Sequence, residues 1–287
     1  MLTNFQLRAG LTLALWGACC TSGVAQDALP RGFAKRLQAY ANGEERNRQT
    51  DLKVMEVQFK PMRMVWANIT DAQTGEKTRQ EVWYLVYRAV LRPTPARIDE
   101  TDTRPINVVD ESPKPDAFMP QMVLTTYDDP AKPVPLAFHL DEVQPEVLEA
   151  IRVVEQRPAS AFQNRGIENG LSVVQPFPAP TPEDAAPEEI DWIYGVATWT
   201  GIDPETDYFQ VTMRGFSNGF ELRPGPNGEM QPWRKVIVQK FARRGDRFDP
   251  NQKEFEFDGG PVWEYQPDAT DWAKWKPSPA PAVGQGA

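Results

Sequence analysis

Glu81-Val-Trp-Tyr-Leu-Val-Tyr-Arg-Ala-Val-Leu91 is the stretch on which the fold turns. Apolar residues occupy both parities of this run: Trp83, Leu85 and Leu91 on one, Val82, Val86 and Val90 on the other. Successive side chains of a strand point to opposite faces, so a strand apolar on both faces needs cover on both. The run is expected to be a central strand with a packed layer above and below it.

Upstream, Met55, Val57 and Phe59 alternate with Glu56, Gln58 and Lys60, the pattern of a strand with one packed face and one wet face. Pro61 interrupts, Met62 to Ile69 reads as a second extended run, and Asp71 to Lys77 as a polar turn. Further back, Phe33, Leu37 and Tyr40 recur at i, i+4 and i+7, which predicts a short helix. Downstream, residues 92–119 form an irregular Pro-, Asp- and Arg-rich crossing, followed by short strands at Met122–Tyr127 and Val134–His139. Pro145 then suits a first helical position, and Val147, Leu148, Ile151 and Val154 share a helical face, predicting one short helix near 145–157.

Gln175 to Glu189 holds five prolines and no apolar period, as an extended linker or boundary loop does. Beyond it, Ile190–Trp199 is apolar and aromatic, and Phe209, Val211 and Met213 alternate with polar residues. Phe220–Arg223 and Trp233–Phe241 flank the hairpin signal Asn227-Gly228, Phe255 and Phe257 alternate with acidic residues, and Val262–Tyr265 closes the set. Proline, 28 in 287 residues, is about twice as frequent as usual, which favours short strands and long loops.

The expected fold is therefore mostly β, built from Ig-like β-sandwich units. Two units in tandem would divide as 51–175 and 190–268, with 176–189 as linker. One larger sandwich with a Pro-rich insertion is the other arrangement. A polar segment over 26–50 precedes the body, and a low-complexity tail over 269–287, expected to be disordered, follows it.

Residues 1–25 carry the marks of a secretory signal peptide. Arg8 precedes an apolar run to Trp16, and Gly23 and Ala25 stand at −3 and −1 of a cleavage site. The run falls short of the roughly 20 residues of a membrane-spanning helix. Cys19 and Cys20, the only cysteines, lie in this segment. Acylation of either would make a lipoprotein, but Trp16 fits the preceding triplet poorly. Cleavage after Ala25 leaves no thiol and excludes disulfides and cysteine nucleophiles. The formal charge of −9 argues against nucleic-acid partners, which select basic patches.

Gly215-Phe-Ser-Asn-Gly219 matches the nucleophile elbow G-x-S-x-G, whose serine needs a histidine later in the chain. His139 is the only histidine and precedes Ser217, so the motif is read as a strand-ending turn with Asn218-Gly219 at positive φ. One histidine and no mature cysteine exclude ordinary zinc, copper and iron sites. Asp203–Asp207 and Asp246–Glu254 have oxygens enough for calcium but not the EF-hand pattern, and read as turns. Arg244-Gly-Asp246 and Asn68-Ile-Thr70 are short chance matches. No catalytic, cofactor-binding or metal-ligating residue is singled out. Eight of the nine tryptophans (66, 83, 192, 199, 233, 263, 272 and 275) lie beyond residue 25. Trp83 and Trp199 belong in the core, Trp272 and Trp275 could cover an edge, and any exposed ring is a candidate sugar platform.

The segments EVWYLVYR (81–88), GVATWTGIDPETDYFQVTMRGFSNGF (195–220) and RRGDRFDPNQKEFEFDGGPVWEY (243–265) resemble an uncharacterised family of exported proteins from planctomycete-type bacteria. The resemblance spans most of 53–266 and implies export and a bacterial source, with no activity or site residues attached. Three functions are expected, in this order: a non-enzymatic envelope protein that binds another protein; a carbohydrate-binding module using exposed tryptophan; and a carboxylate-dependent hydrolase. Its location would be periplasmic or extracellular, with an envelope protein or glycan as partner.

Overall fold

The computed structural model describes residues 32–71, 74–97, 101–109, 111–112, 114–132, 134–155, 166–224, 228–243 and 254–267. Residues 1–25 and the tail lie outside these, as do Asn227 of the hairpin turn and residues 246–253 of the second acidic stretch.

The apolar run quoted above lies within β4 (Lys77–Arg92), the longest strand. On one side β4 pairs antiparallel with β3 (Arg63–Thr70) along its first half and β2 (Val54–Phe59) along its second. On the other it pairs with β8 (Ile193–Trp199). β1 (Lys35–Leu37) extends the sheet beyond β2, and β7 (Glu168–Asn169) lies parallel to β8. Sheet II runs β10 (Phe220–Pro224), β11 (Met230–Ala242), β9 (Tyr208–Arg214), β5 (Gln121–Tyr127), β6 (Ala137–Leu140), with β12 (Glu256–Pro267) on β11's other side.

Both layers over β4 are present. Trp83, Leu85 and Leu91, with Met55, Val57, Phe59 and Trp199, meet Met122, Leu124, Phe209, Val211, Met213, Ile237 and Phe241 of sheet II in one apolar core. Phe209 stacks on Phe241 with ring centroids 5.2 Å apart, and Trp83 tilts against Phe255 at 4.2 Å. On the outer face, Val82, Val86 and Val90 pack beneath α2 (Pro145–Glu155), whose Val147, Leu148 and Ile151 are buried. The helix stands where periodicity placed it, except that Val154 is exposed and Glu155 takes the inward position.

Four sequence expectations are corrected. Residues 33–40 form no helix: the segment pairs with β2 through Lys35–Leu37, and a helix, α1 (Gly43–Arg48), follows it. Its start is fixed by a capping box between Asn42 and Glu45. The polar face of β2 is not wet: Glu56, Gln58 and Lys60 are all buried beneath charged partners. Val134 and Leu136 precede β6 instead of lying in it. Finally, 176–189 does not divide two sandwiches, because β4 pairs with β8 and β5 with β9 across it. Strands from both halves of the chain share both sheets, so the single sandwich is the arrangement observed. Strands over which apolar residues alternate on the sequence give no pairing partner, which is why both arrangements fitted the pattern.

Candidate functional site

Ile237 is the last residue of β11, toward its start, to lie in the inter-sheet core. Lys235 and Trp233 continue the same face of the strand, since alternate residues share a face. There the segment around α1 closes the end of the sandwich, with Ala41, Leu52 and Val54 forming a small apolar cluster against Trp263. Lys235 is 2% exposed. Its Nζ donates to Glu45 Oε1 at 2.6 Å and to the Tyr40 carbonyl at 2.7 Å. Tyr265 OH donates to the same carboxylate oxygen at 2.5 Å, and Glu45 Oε2 accepts from the Asn42 backbone N–H at 2.7 Å.

Burial works against the Glu45 carboxylate, but the bonds from Lys235, Tyr265 and Asn42 outweigh it and hold its pKa below the usual range. Burial, together with the neighbouring Glu45 charge, pushes the Tyr265 hydroxyl far up, so it stays a proton donor. Three rings surround the ammonium: Trp263, Tyr40 and Tyr265 lie 5.6, 5.8 and 5.9 Å from Nζ at their centroids.

The rim of this end is aromatic and cationic. The Arg223 guanidinium stacks on Trp233 at 4.2 Å, and Arg48 lies over Tyr265 at 5.9 Å while pairing with Glu221 at 3.2 Å. Tyr40 is 61% exposed. Planar rings beside guanidinium groups make a surface for contact and hydrogen bonding. Tyr40, Glu45, Arg48 and Tyr265 went unnoticed on sequence, because their contacts join positions 170 or more residues apart, and Arg223 because a cation ten residues from Trp233 across a turn carries no signal of its own. The one local signal is Lys235 itself, a cation on the face of β11 that it shares with Trp233 and Ile237.

The Gly215–Gly219 motif is a joint between the sheets. Ser217 Oγ donates to the Lys53 carbonyl at 2.7 Å and accepts from the Gly219 N–H at 2.9 Å. Asn218 accepts from the Lys53 N–H at 2.7 Å and donates to the Asp51 carbonyl at 3.0 Å. The positive φ falls on Gly215 (84°), not on Gly219: at Gly215 a side chain would run into the Met119 carbonyl. His139 lies on β6, opposite Leu124, and is not brought to Ser217. Asp203 makes a turn, its carboxylate accepting from the Glu205 N–H at 2.9 Å. Among the described residues no cluster of three or more His, Cys, Asp and Glu is arranged to hold a metal ion.

A second charged node ties α2 to sheet I. Glu155 accepts from Lys60 at 2.7 Å, Arg63 at 2.8 Å and the Tyr84 hydroxyl at 2.8 Å. Nearby, Glu56 pairs with Arg36 and Arg92. Arg92 in turn donates to the Pro182 carbonyl at 2.6 Å and pins the Pro-rich loop. Between that loop and Val90 lies an open cleft of about 480 Å³, rimmed by Asp184, Glu189 and Asp191.

Of the tryptophans, Trp83, Trp192 and Trp199 are buried, Trp233 and Trp263 are half-buried and Trp66 is 57% exposed. Trp66 carries Arg79 over its ring at 5.3 Å and Trp192 carries Arg88 at 4.0 Å.

Fold and site together define a mostly-β, two-sheet sandwich with an aromatic and cationic end. No family model, curated protein or solved structure matches this chain.

Proposed function

We propose that this chain is an exported, non-enzymatic envelope protein that holds a partner protein at the Trp233–Tyr265 end of its sandwich. The observation that carries the reading is the grouping of Tyr40, Trp233, Tyr265, Arg48 and Arg223 around a buried ion pair. Tryptophan, tyrosine and arginine dominate protein-binding hot spots, where a preordered ring or guanidinium loses little entropy on contact. The buried Glu45–Lys235 pair fixes the segment around α1 and so orders the rim in advance.

The export half of the proposal rests on the charge and apolar pattern of residues 1–25 and on the resemblance to exported planctomycete-type proteins. It places the chain in the periplasm or outside the cell. Among the described residues no helix is long and apolar enough to cross a membrane.

Affinity capture from solubilised envelope tests the reading, with wild type and the Trp233→Ala/Arg223→Ala variant run in parallel. A stoichiometric protein retained by wild type and lost by the variant is expected; equal capture by both overturns the site. Trp66, exposed at 57%, favours a second reading as a carbohydrate-binding module. Quenching or shift of tryptophan fluorescence by envelope glycans, abolished by Trp66→Ala, is the outcome that reading requires.

A further inference from the structure

The β3–β4 hairpin has two unlike faces. Directly opposite residues of a sheet share a face, and alternate residues along a strand return to it. Trp66 lies opposite Glu81, Asn68 opposite Arg79 and Thr70 opposite Lys77. Trp66, Asn68, Lys77, Arg79 and Glu81 therefore stand together on one face. The intervening Ala67, Ile69 and Val82 stand on the other, buried in the cluster they share with α2. The helix thus anchors the hairpin from behind. On the Trp66 side the preceding pair, Met64 and Trp83, belongs to the inter-sheet core. Beyond that pair the face runs out into solvent.

Trp66 is 57% exposed although the Arg79 guanidinium lies over one side of its ring at 5.3 Å, so the other side of the indole is open. Asn68, Lys77 and Arg79 are exposed and Glu81 is half-buried. Elsewhere on this acidic chain cations hold carboxylates: Arg48 holds Glu221, Lys60 and Arg63 hold Glu155, and Arg92 holds Glu56. Among the described residues Lys77 and Arg79 hold none, and no side-chain hydrogen bond engages Asn68 or Glu81. Two cations and one carboxylate thus flank an open ring, an excess of positive charge on a chain whose formal charge is −9.

We propose that this face binds a carboxylated polysaccharide, with one pyranose ring stacked on Trp66 and the acid groups of the sugar chain on Arg79 and Lys77. The inference rests on the carbohydrate reading given above and adds the class of sugar. The C–H face of a pyranose ring is apolar and flat enough to lie on an indole. A carboxylate matches the planar guanidinium fork, which the ring of Trp66 holds in place beforehand. The Asn68 amide and the Glu81 carboxylate supply a donor and acceptors for ring hydroxyls. Four residues along β4 separate Lys77 from Glu81, roughly 13 Å. That length suits a short oligosaccharide laid along the hairpin, not a single ring.

Calorimetric titration of the full chain with oligogalacturonate, and with a neutral malto-oligosaccharide of the same length, tests the proposal. The acidic chain is expected to bind about tenfold more tightly or better, and added salt to weaken it. Trp66→Ala should abolish binding and Trp66→Phe restore part of it. Lys77→Gln and Arg79→Gln should each weaken the acidic ligand by about two- to fivefold. Glu81→Gln, which removes the only carboxylate of the face, should not weaken it by more. Equal affinity for the acidic and neutral sugars overturns the assignment of an acidic ligand and leaves the carbohydrate reading standing. Acidic-sugar binding that survives both Trp66→Ala and the cation replacements overturns this face as the site. No binding of either sugar overturns the proposal together with the carbohydrate reading.

Discussion

Removing the Glu155 charge while leaving its partners in place isolates the energetics of the α2 latch. Glu155 has 1% and Lys60 6% side-chain exposure, and the two are 2.7 Å apart. In Glu155→Leu the Lys60 ammonium and the Tyr84 hydroxyl are left buried with their shared acceptor gone. Breaking a buried pair in this way costs about 3–5 kcal/mol. For a chain of this size that corresponds to a fall in Tm of roughly 6–20 °C. Replacing both partners by apolar residues of similar volume, Lys60→Met with Glu155→Leu, removes the desolvation cost along with the attraction. The double variant is therefore expected within about 1–2 kcal/mol of wild type, and more stable than Glu155→Leu alone. Equilibrium urea unfolding, followed by circular dichroism and tryptophan fluorescence, reads all three. A single variant as stable as wild type, or a double variant as unstable as the sum of the singles, would refute the latch.

Gly215→Ala places a Cβ 2.0 Å from the Met119 carbonyl oxygen at φ 84°, so a loss of about 3 kcal/mol or more, or failure to fold, is expected in thermal unfolding. Ser217→Ala removes the bond to the Lys53 carbonyl and the acceptor for the Gly219 N–H, with an expected loss of about 1–3 kcal/mol in stability and no change in ester hydrolysis by the preparation. Acid should destabilise the fold through Glu45 and Glu155. In both, the bonds received exceed the penalty of burial and depress the pKa below the ordinary 4.5. Their contribution is complete above that value and is lost as the pH falls through the folded-state pKa. Asp141, whose pKa burial raises, works in the opposite sense as a single group. Unfolding measured from pH 6 to pH 3 should show the decline, and Glu155→Gln should make it shallower.

Strand positions were legible because side-chain period is a local property. The doubly apolar Trp83–Leu91 stretch had to be a central covered strand, and Val147, Leu148 and Ile151 could share a face only on a helix. Partnership was not legible. Nothing near Glu56, Gln58 or Lys60 shows that Arg36, Arg92 and Glu155 come to rest on them, so their alternation read as a wet face. Phe33, Leu37 and Tyr40 fit a helical spacing, but pairing with β2 satisfies Lys35–Leu37 backbone groups and overrides it. The sandwich end was hidden for the same reason: Tyr40 and Glu45 meet Lys235 and Tyr265 only once the sheet has formed. The G-x-S-x-G motif could be set aside on sequence, because a missing downstream histidine is a fact of composition.

Site-specific photocrosslinking from position 233 in the living host tests the binding account most directly, since it reads what touches the rim in place. The account predicts one dominant adduct with a protein, lost when Arg223 is also replaced by Ala and absent when the crosslinker is moved to position 203 on the Asp203 turn. No adduct from 233, or the same adducts from both positions, would contradict it.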